Sequence, residues 1–217
     1  MSSAPIFRYP GKDADVTWDR RLCIHIGECG RAQGDLFITG RKPWCQPDLT
    51  SVAEVVDVCE RCPSGALVYE VKDGKTAESA AAQNTIAVTY NGPLFARGDL
   101  AIEDAPADMP GVRFRAALCR CGQSKNKPYC DNSHEAAGFR DYGAVGETGK
   151  GLADAGGPLA IKPIKDGPLR VRGNLAIVAS SGCARWQGTE AYLCRCGHSK
   201  NKPFCDSSHK AAGFKAG

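Results

Sequence analysis

Four residues able to bind metal recur as a set: Cys119, Cys121, Cys130 and His134, then Cys194, Cys196, Cys205 and His209, each spaced Cys-x-Cys-x8-Cys-x3-His. Three thiolates and one imidazole suit either tetrahedral zinc or iron-sulfur, since both accept soft sulfur with a borderline nitrogen. Structural zinc sites commonly begin with a cysteine pair enclosing about two to four residues, whereas the first pair here encloses one. The spacing therefore leans away from zinc without removing it.

A second group of cysteines lies near the N-terminus: Cys23, Cys29, Cys45, Cys59 and Cys62, the last followed by Pro63. Bacterial ferredoxins use Cys-x2-Cys-x2-Cys with a remote Cys-Pro. Cys23 and Cys29 stand as the outer members of that run, and Ile26 stands where the middle cysteine belongs. Three ligands remain in the local pattern, Cys23, Cys29 and Cys62. Three suffice for 3Fe-4S. A 4Fe-4S cluster needs a fourth, for which Cys45 and Cys59 are the thiols at hand, each equally readable as a small buried hydrophobe.

The elements that carry these residues follow from a repeat. Leu118 to Phe139 matches Leu193 to Phe214 at a shift of 75, and the same shift maps Gly92-Pro93-Leu94 onto Gly167-Pro168-Leu169. Within each unit, alternation predicts strands over Thr85 to Tyr90 and Leu94 to Ile102, then Leu159 to Ile164 and Leu169 to Val178. SHEAAGF and SHKAAGF predict one or two helical turns, capped by Asp131 or Asp206 and ended by Gly138 or Gly213. Near the N-terminus, Asp15 to Trp18 and Leu67 to Tyr69 read as strands, and Ser51-x-x-Glu54 as a capping box opening a helix. The fold class expected is α+β: a small domain over residues 1–78, then two β-rich units over 79–142 and 159–217, joined by a flexible glycine-rich linker over 143–158. Two like units in one chain suggest packing about a pseudo-twofold axis, a monomer with an internal pseudo-dimer.

Composition narrows the function classes. The first twenty residues lack the apolar run of a secretory signal, and no uninterrupted apolar stretch reaches the roughly 18 residues of a membrane span. A cytoplasmic location, with no membrane association, is the expectation; there clustered thiols stay reduced and ligate metal. Charge is uneven: residues 1–78 hold 10 basic and 12 acidic side chains, residues 79–217 hold 18 and 12. Arg120, Lys125 and Lys127, with Arg195, Lys200 and Lys202, lie inside the cysteine loops, so part of the basic excess faces a bound anionic group and nucleic acid is not needed to explain it.

Cys-x-Cys-x2-Ser-x3-Pro-x-Cys-Asp-x-Ser-His, present twice, resembles the signature of the CDGSH, or NEET, iron-sulfur family, each copy fitting over about fifty residues. The resemblance implies two 2Fe-2S clusters, each held by three Cys and one His, on a β-rich fold. Such a cluster carries one net negative charge when oxidised and two when reduced, so nearby cations favour the reduced state. One departure stands out. Asn132 and Ser207 replace the usual Gly, and Ser, which tolerates a left-handed backbone poorly, implies ordinary angles at 207. The N-terminal segment resembles the divergent single-cluster ferredoxin domain found beside CDGSH modules, with CPSGAL at Cys62 to Leu67 as its most specific piece; a third cluster, 3Fe-4S or 4Fe-4S, is implied there.

No Ser-His-Asp order, phosphate loop or dinucleotide fingerprint appears in the sequence. The chain reads as a non-enzymatic carrier of electrons or clusters for a redox or cluster-accepting protein partner, with a cluster-state sensor and a structural zinc protein as alternatives. His198, in the place of Gln123, reads as solvent-facing, and Cys183, without a counterpart in the first copy, as a packed thiol.

Overall fold

The computed structural model describes residues 5–216. The chain forms two compact units, Met1–Ser79 and Ala80–Gly217. In the first, β1 (Ile6–Tyr9), β2 (Ala14–Asp19) and β3 (Leu67–Val71) make an antiparallel sheet in the order β1-β2-β3. Helix α1 (Val52–Arg61) buries Val55, Val58 and Cys59, each Val worth on the order of 2 kcal/mol of burial. Ser51 caps it by accepting from the Glu54 amide. The Glu54 carboxylate, however, accepts from the Gln33 amide at 2.7 Å, so it ties down the preceding loop where a full capping box would close on Ser51. Pro63 ends the helix by holding Cys62 extended, at φ −66° and ψ 104°.

The second unit is a seven-stranded sheet: β4 (Thr85–Val88), β5 (Leu94–Arg97), β6 (Asp99–Ile102), β7 (Arg115–Leu118), β8 (Pro158–Pro163), β9 (Leu169–Val178) and β10 (Ala184–Leu193). Two four-residue helices, α2 (Ser133–Ala136) and α3 (Ser208–Ala211), stand at equivalent points of the repeat. The copies interleave through two parallel pairings, β4 with β9 and β6 with β8. These are reciprocal: Ile86 opposite Ile177 becomes, at a shift of 75, Ile161 opposite Ile102. Ile86, Ile161 and Ile177 are fully buried, while Ile102, on the edge strand β6, is half-buried.

The expected strand Leu94 to Ile102 breaks at Gly98, where φ is +146° and the Asn84 Oδ1 sits 2.0 Å from the place a Cβ would take. The equivalent Gly173 lies inside β9, which pairs with β10 along its length. The first copy lacks so long a partner strand, because Pro106 and Pro110 interrupt the stretch between β6 and β7. The glycine-rich segment 143–158 differs from the flexible connection its composition suggests. Gly149 bridges Gln187, Ala155 accepts from the Asn84 amide, and Gly156 and Gly157 accept from the Asn174 and Asn84 side chains. No helix among the described residues is long and apolar enough to cross a membrane.

Candidate iron-sulfur sites

Each cysteine-histidine loop hangs from a strand end. After β7, the Cys119 amide donates to the Pro128 carbonyl and the Cys130 amide to Ala117, setting the CxC pair across from the third cysteine. After β10, Cys194 to Pro203 and Cys205 to Tyr192 repeat this. The loop interior is fixed by the buried Ser124, whose hydroxyl donates to the Tyr129 carbonyl at 2.6 Å and accepts from the Asn126 amide, with Ser199 doing the same for Phe204 and Asn201. Asp131 clamps loop to helix, accepting from Lys125 and Ser133 amides; Asp206 accepts from Lys200 and Ser208. The Ser208 and Lys200 bonds hold the Asp206 carboxyl well below the usual range. Both aspartates thus act one residue ahead of the N-cap, which is Asn132 or Ser207.

The helix then turns the histidine back onto the third cysteine. His134 Nδ1 is 3.4 Å from Cys130 Sγ, and His209 Nδ1 is 3.5 Å from Cys205 Sγ. The first two thiols form the other pair, with Cys119 and Cys121 at 3.8 Å and Cys194 and Cys196 at 3.7 Å. Backbone amides point at sulfur throughout: Gln123 at Cys121, Asn132 at Cys130, His198 at Cys196 and Ser207 at Cys205, all at 3.4 Å. Such donors stabilise thiolate over thiol.

Ser207 therefore corrects the sequence reading. Its φ is +68°, matching +70° at Asn132, so both residues are left-handed despite the lack of glycine. The geometry that presents the 207 amide to Cys205 outweighs serine's local preference.

Burial and charge shape the thiols. Within the touching pair Cys119 is the more acidic, brought down to about 6, chiefly by its hydrogen bond from Cys121 and further by amides and Lys127. Burial pushes Cys130 up to about 12 and raises Cys194. Burial also holds His134 below the ordinary histidine value, favouring the neutral ring a metal requires.

The loop arginines are not solvated. Arg120 donates to Gly92 and Thr89 carbonyls and pairs with Asp141, while Arg195 donates to the Gly167, Ile164 and Ala216 carbonyls. Lys127 and Lys202 reach back to Ser124 and Ser199 carbonyls, whereas Lys125 and Lys200 are exposed. His198 is exposed, as read from sequence. Cys183 is exposed, which corrects its reading as a packed thiol: it closes the β9–β10 turn after Ser180, Ser181 and Gly182, themselves exposed.

The two loops also touch. Cys121 and Cys196 form an antiparallel bridge. Gly122, at φ +82°, and Gly197, at φ +85°, make this approach possible, since a Cβ on either would lie 2.6 or 2.7 Å from the other loop's cysteine carbonyl.

In the N-terminal unit, Cys23, Cys29 and Cys62 line one cavity of about 270 Å³. Cys23 follows β2 between the buried anchors Leu22 and Ile24, Cys29 lies in a 3-10 turn (Glu28–Arg31) opened by Gly27, and Cys62 is set by the end of α1. Trp18, Trp44, Ala66 and Leu67 wall the cavity, the two indoles 5.3 Å apart. Burial raises Cys29, and the facing Cys23 and Cys62 raise it further. Three converging thiols in an apolar pocket fit an iron-sulfur cluster. Cys45 and Cys59 do not border this cavity. Cys45 is buried opposite Phe37, its thiol pushed up to about 12 by burial, and Cys59 lies in the core on α1. His25 and Ser64 do border it. The signal for His25 in the sequence is its place two residues after Cys23.

Residues 9–72 match the family described as a divergent 4Fe-4S mono-cluster, and residues 91–135 and 166–210 each match the iron-binding zinc finger of CDGSH type. Among relatives, the "Uncharacterized protein YjdI" of Escherichia coli (strain K12) is 48% identical over 64 residues, 30% of this chain and 84% of that protein. A "CDGSH iron-sulfur domain-containing protein 2 homolog" of Drosophila mojavensis is 40% identical over 55 residues, 25% of this chain and 34% of that protein. The "CDGSH iron-sulfur domain protein" of Drosophila melanogaster is 40% identical over 55 residues, so the chain spans about a third of the fly relatives' length. No solved structure matches the chain significantly. With a donor-rich loop in each matched module, the chain belongs to the CDGSH iron-sulfur proteins, two CDGSH modules standing in tandem after a divergent single-cluster 4Fe-4S domain.

Proposed function

We propose that each CDGSH module holds one 2Fe-2S cluster through three Cys and one His: Cys119, Cys121, Cys130 and His134 in the first, Cys194, Cys196, Cys205 and His209 in the second. The observation that carries this reading is the pairing of donors. Cys119 with Cys121, and Cys130 with His134, each have the separation of two ligands on one tetrahedral ion. Among the described residues no three His, Cys, Asp or Glu side chains close on a single ion position, which favours two irons per loop over one zinc. The amides aimed at sulfur support thiolate ligation of either metal.

The clusters supply one-electron redox chemistry, and the residues around them bind, bury and bias it. The chain acts as a non-enzymatic carrier of electrons or clusters to a protein partner, as a monomer whose reciprocal strand pairings support a pseudo-twofold arrangement of the modules. Cys23, Cys29 and Cys62, which line one cavity, would hold a third cluster. A reducing compartment such as the cytoplasm suits cysteines clustered to ligate metal. Iron, sulfide and zinc analysis of anaerobically purified full-length protein, joined to electron paramagnetic resonance, tests the assignment. Iron with acid-labile sulfide and a reducible 2Fe-2S signal is expected; zinc without sulfide would overturn it.

A further inference from the structure

The first unit's cavity has three thiols around it, and a four-iron cubane needs a fourth ligand. Resting on the reading that this unit binds a cluster, we propose that His25 is that ligand, completing a Cys23, His25, Cys29 and Cys62 set. The alternatives on the cavity wall are committed elsewhere. Glu28 pairs with Arg61 at 3.0 Å. The Ser64 hydroxyl accepts from the Ala66 amide at 3.3 Å and lies 3.6 Å from Cys62 Sγ. Cys45 and Cys59 are core residues off the cavity. His25 has no hydrogen-bond or ion-pair partner among the described residues.

Its backbone explains how it gets there. Ile24 is buried and Ile26 is 51% exposed, so the loop leaves the core within two residues. His25, at φ +53°, makes that turn in a conformation histidine adopts more readily than most non-glycine residues. Gly27, at φ +86°, then turns the chain into the segment carrying Cys29. His25 thus borders the cavity while itself exposed, and Trp18, Trp44 and Leu67 wall the rest. The position where Cys-x2-Cys-x2-Cys would place a middle thiol is filled by Ile26; the donor has moved one residue back and changed from sulfur to nitrogen. A neutral imidazole leaves the cluster one charge less negative than a fourth thiolate, which raises its potential.

The test uses the full-length chain, reconstituted anaerobically with iron and sulfide, as wild type, His25→Ala, His25→Cys and Ser64→Ala. Wild type should give a four-iron signal on reduction. His25→Ala should lose it and show a 3Fe-4S signal in the oxidised state, with the CDGSH-module signals unchanged. His25→Cys should restore the four-iron cluster at a lower potential, and Ser64→Ala should retain it. A four-iron cluster of unaltered spectrum and potential in His25→Ala would overturn the assignment alone, as would loss in both His25 variants. Wild type without any four-iron cluster overturns it together with the reading beneath it.

Discussion

The two CDGSH loops share nearly every residue, yet they sit differently. Cys130 and His134 are buried, at 2% and 8% exposure, while Cys205 and His209 are half-buried. Their surroundings differ where Tyr129 of the first loop becomes Phe204 of the second. In the first copy Pro110 accepts the Tyr129 hydroxyl and Gly111 lies against its ring. In the second, Phe204 offers no hydroxyl and packs on Trp186 of β10. Charge differs too. The buried Arg120 is paired with the Asp141 carboxylate, while Arg195 meets only carbonyls at its equivalent contacts. Ligand spacing sets what can bind; the neighbours set how firmly, and at what potential.

The sharpest way to break the comparison acts where the loops meet. Gly122→Ala places a Cβ 2.6 Å from the Cys196 carbonyl in a left-handed backbone. It should destabilise the unit by about 2 kcal/mol or more and impair both clusters, read by thermal unfolding and iron content. Cys130→Ser should have a smaller effect, removing the first cluster and leaving the second, with Cys205→Ser the mirror case. Iron and sulfide counts decide; loss of both clusters in either variant would mean that the Cys121–Cys196 contact makes the sites one cooperative unit.

Acid should separate the wild-type sites. A ligating imidazole must be neutral, so protons compete with iron as pH falls towards the ordinary histidine pKa of about 6.5. Burial holds the His134 imidazole below the ordinary histidine value, so the buried Cys130–His134 corner should survive to lower pH than the half-buried Cys205–His209 corner. Visible absorbance of Cys130→Ser and Cys205→Ser, each holding one cluster, reads the two rates; equal rates would remove exposure as the cause. The smallest effect is electrostatic. Asp141→Asn frees the Arg120 charge and should raise the first cluster's potential by on the order of tens of millivolts, seen in a redox titration, with the second unmoved.

What was legible in the sequence was local. The Cys-x-Cys-x8-Cys-x3-His spacing, the 75-residue repeat, the Ser51 cap and the glycines closing α2 and α3 at φ +62° all depend on residue types read in short windows. The reciprocal pairing of β4 with β9 and β6 with β8 was not legible, because parallel partners far apart in the chain leave no local pattern. Strands β7 and β10 were missed since the short, fully buried Arg115–Leu118 lacks alternation and bulges disrupt the register of Ala184–Leu193. Ser207 was misread because a tertiary demand, the amide to Cys205, set its backbone. His25 was overlooked because the ferredoxin template directs attention to position 26.

The central claim, one histidine on each 2Fe-2S cluster, is tested most directly by pulsed electron paramagnetic resonance on the reduced full-length chain labelled with nitrogen-15 at histidine. Wild type should show a strongly coupled nitrogen on both 2Fe-2S clusters; His134→Cys should remove it from the first and His209→Cys from the second, each lowering that cluster's potential. Absence of a coupled nitrogen, or spectra unchanged by both substitutions, would contradict the account.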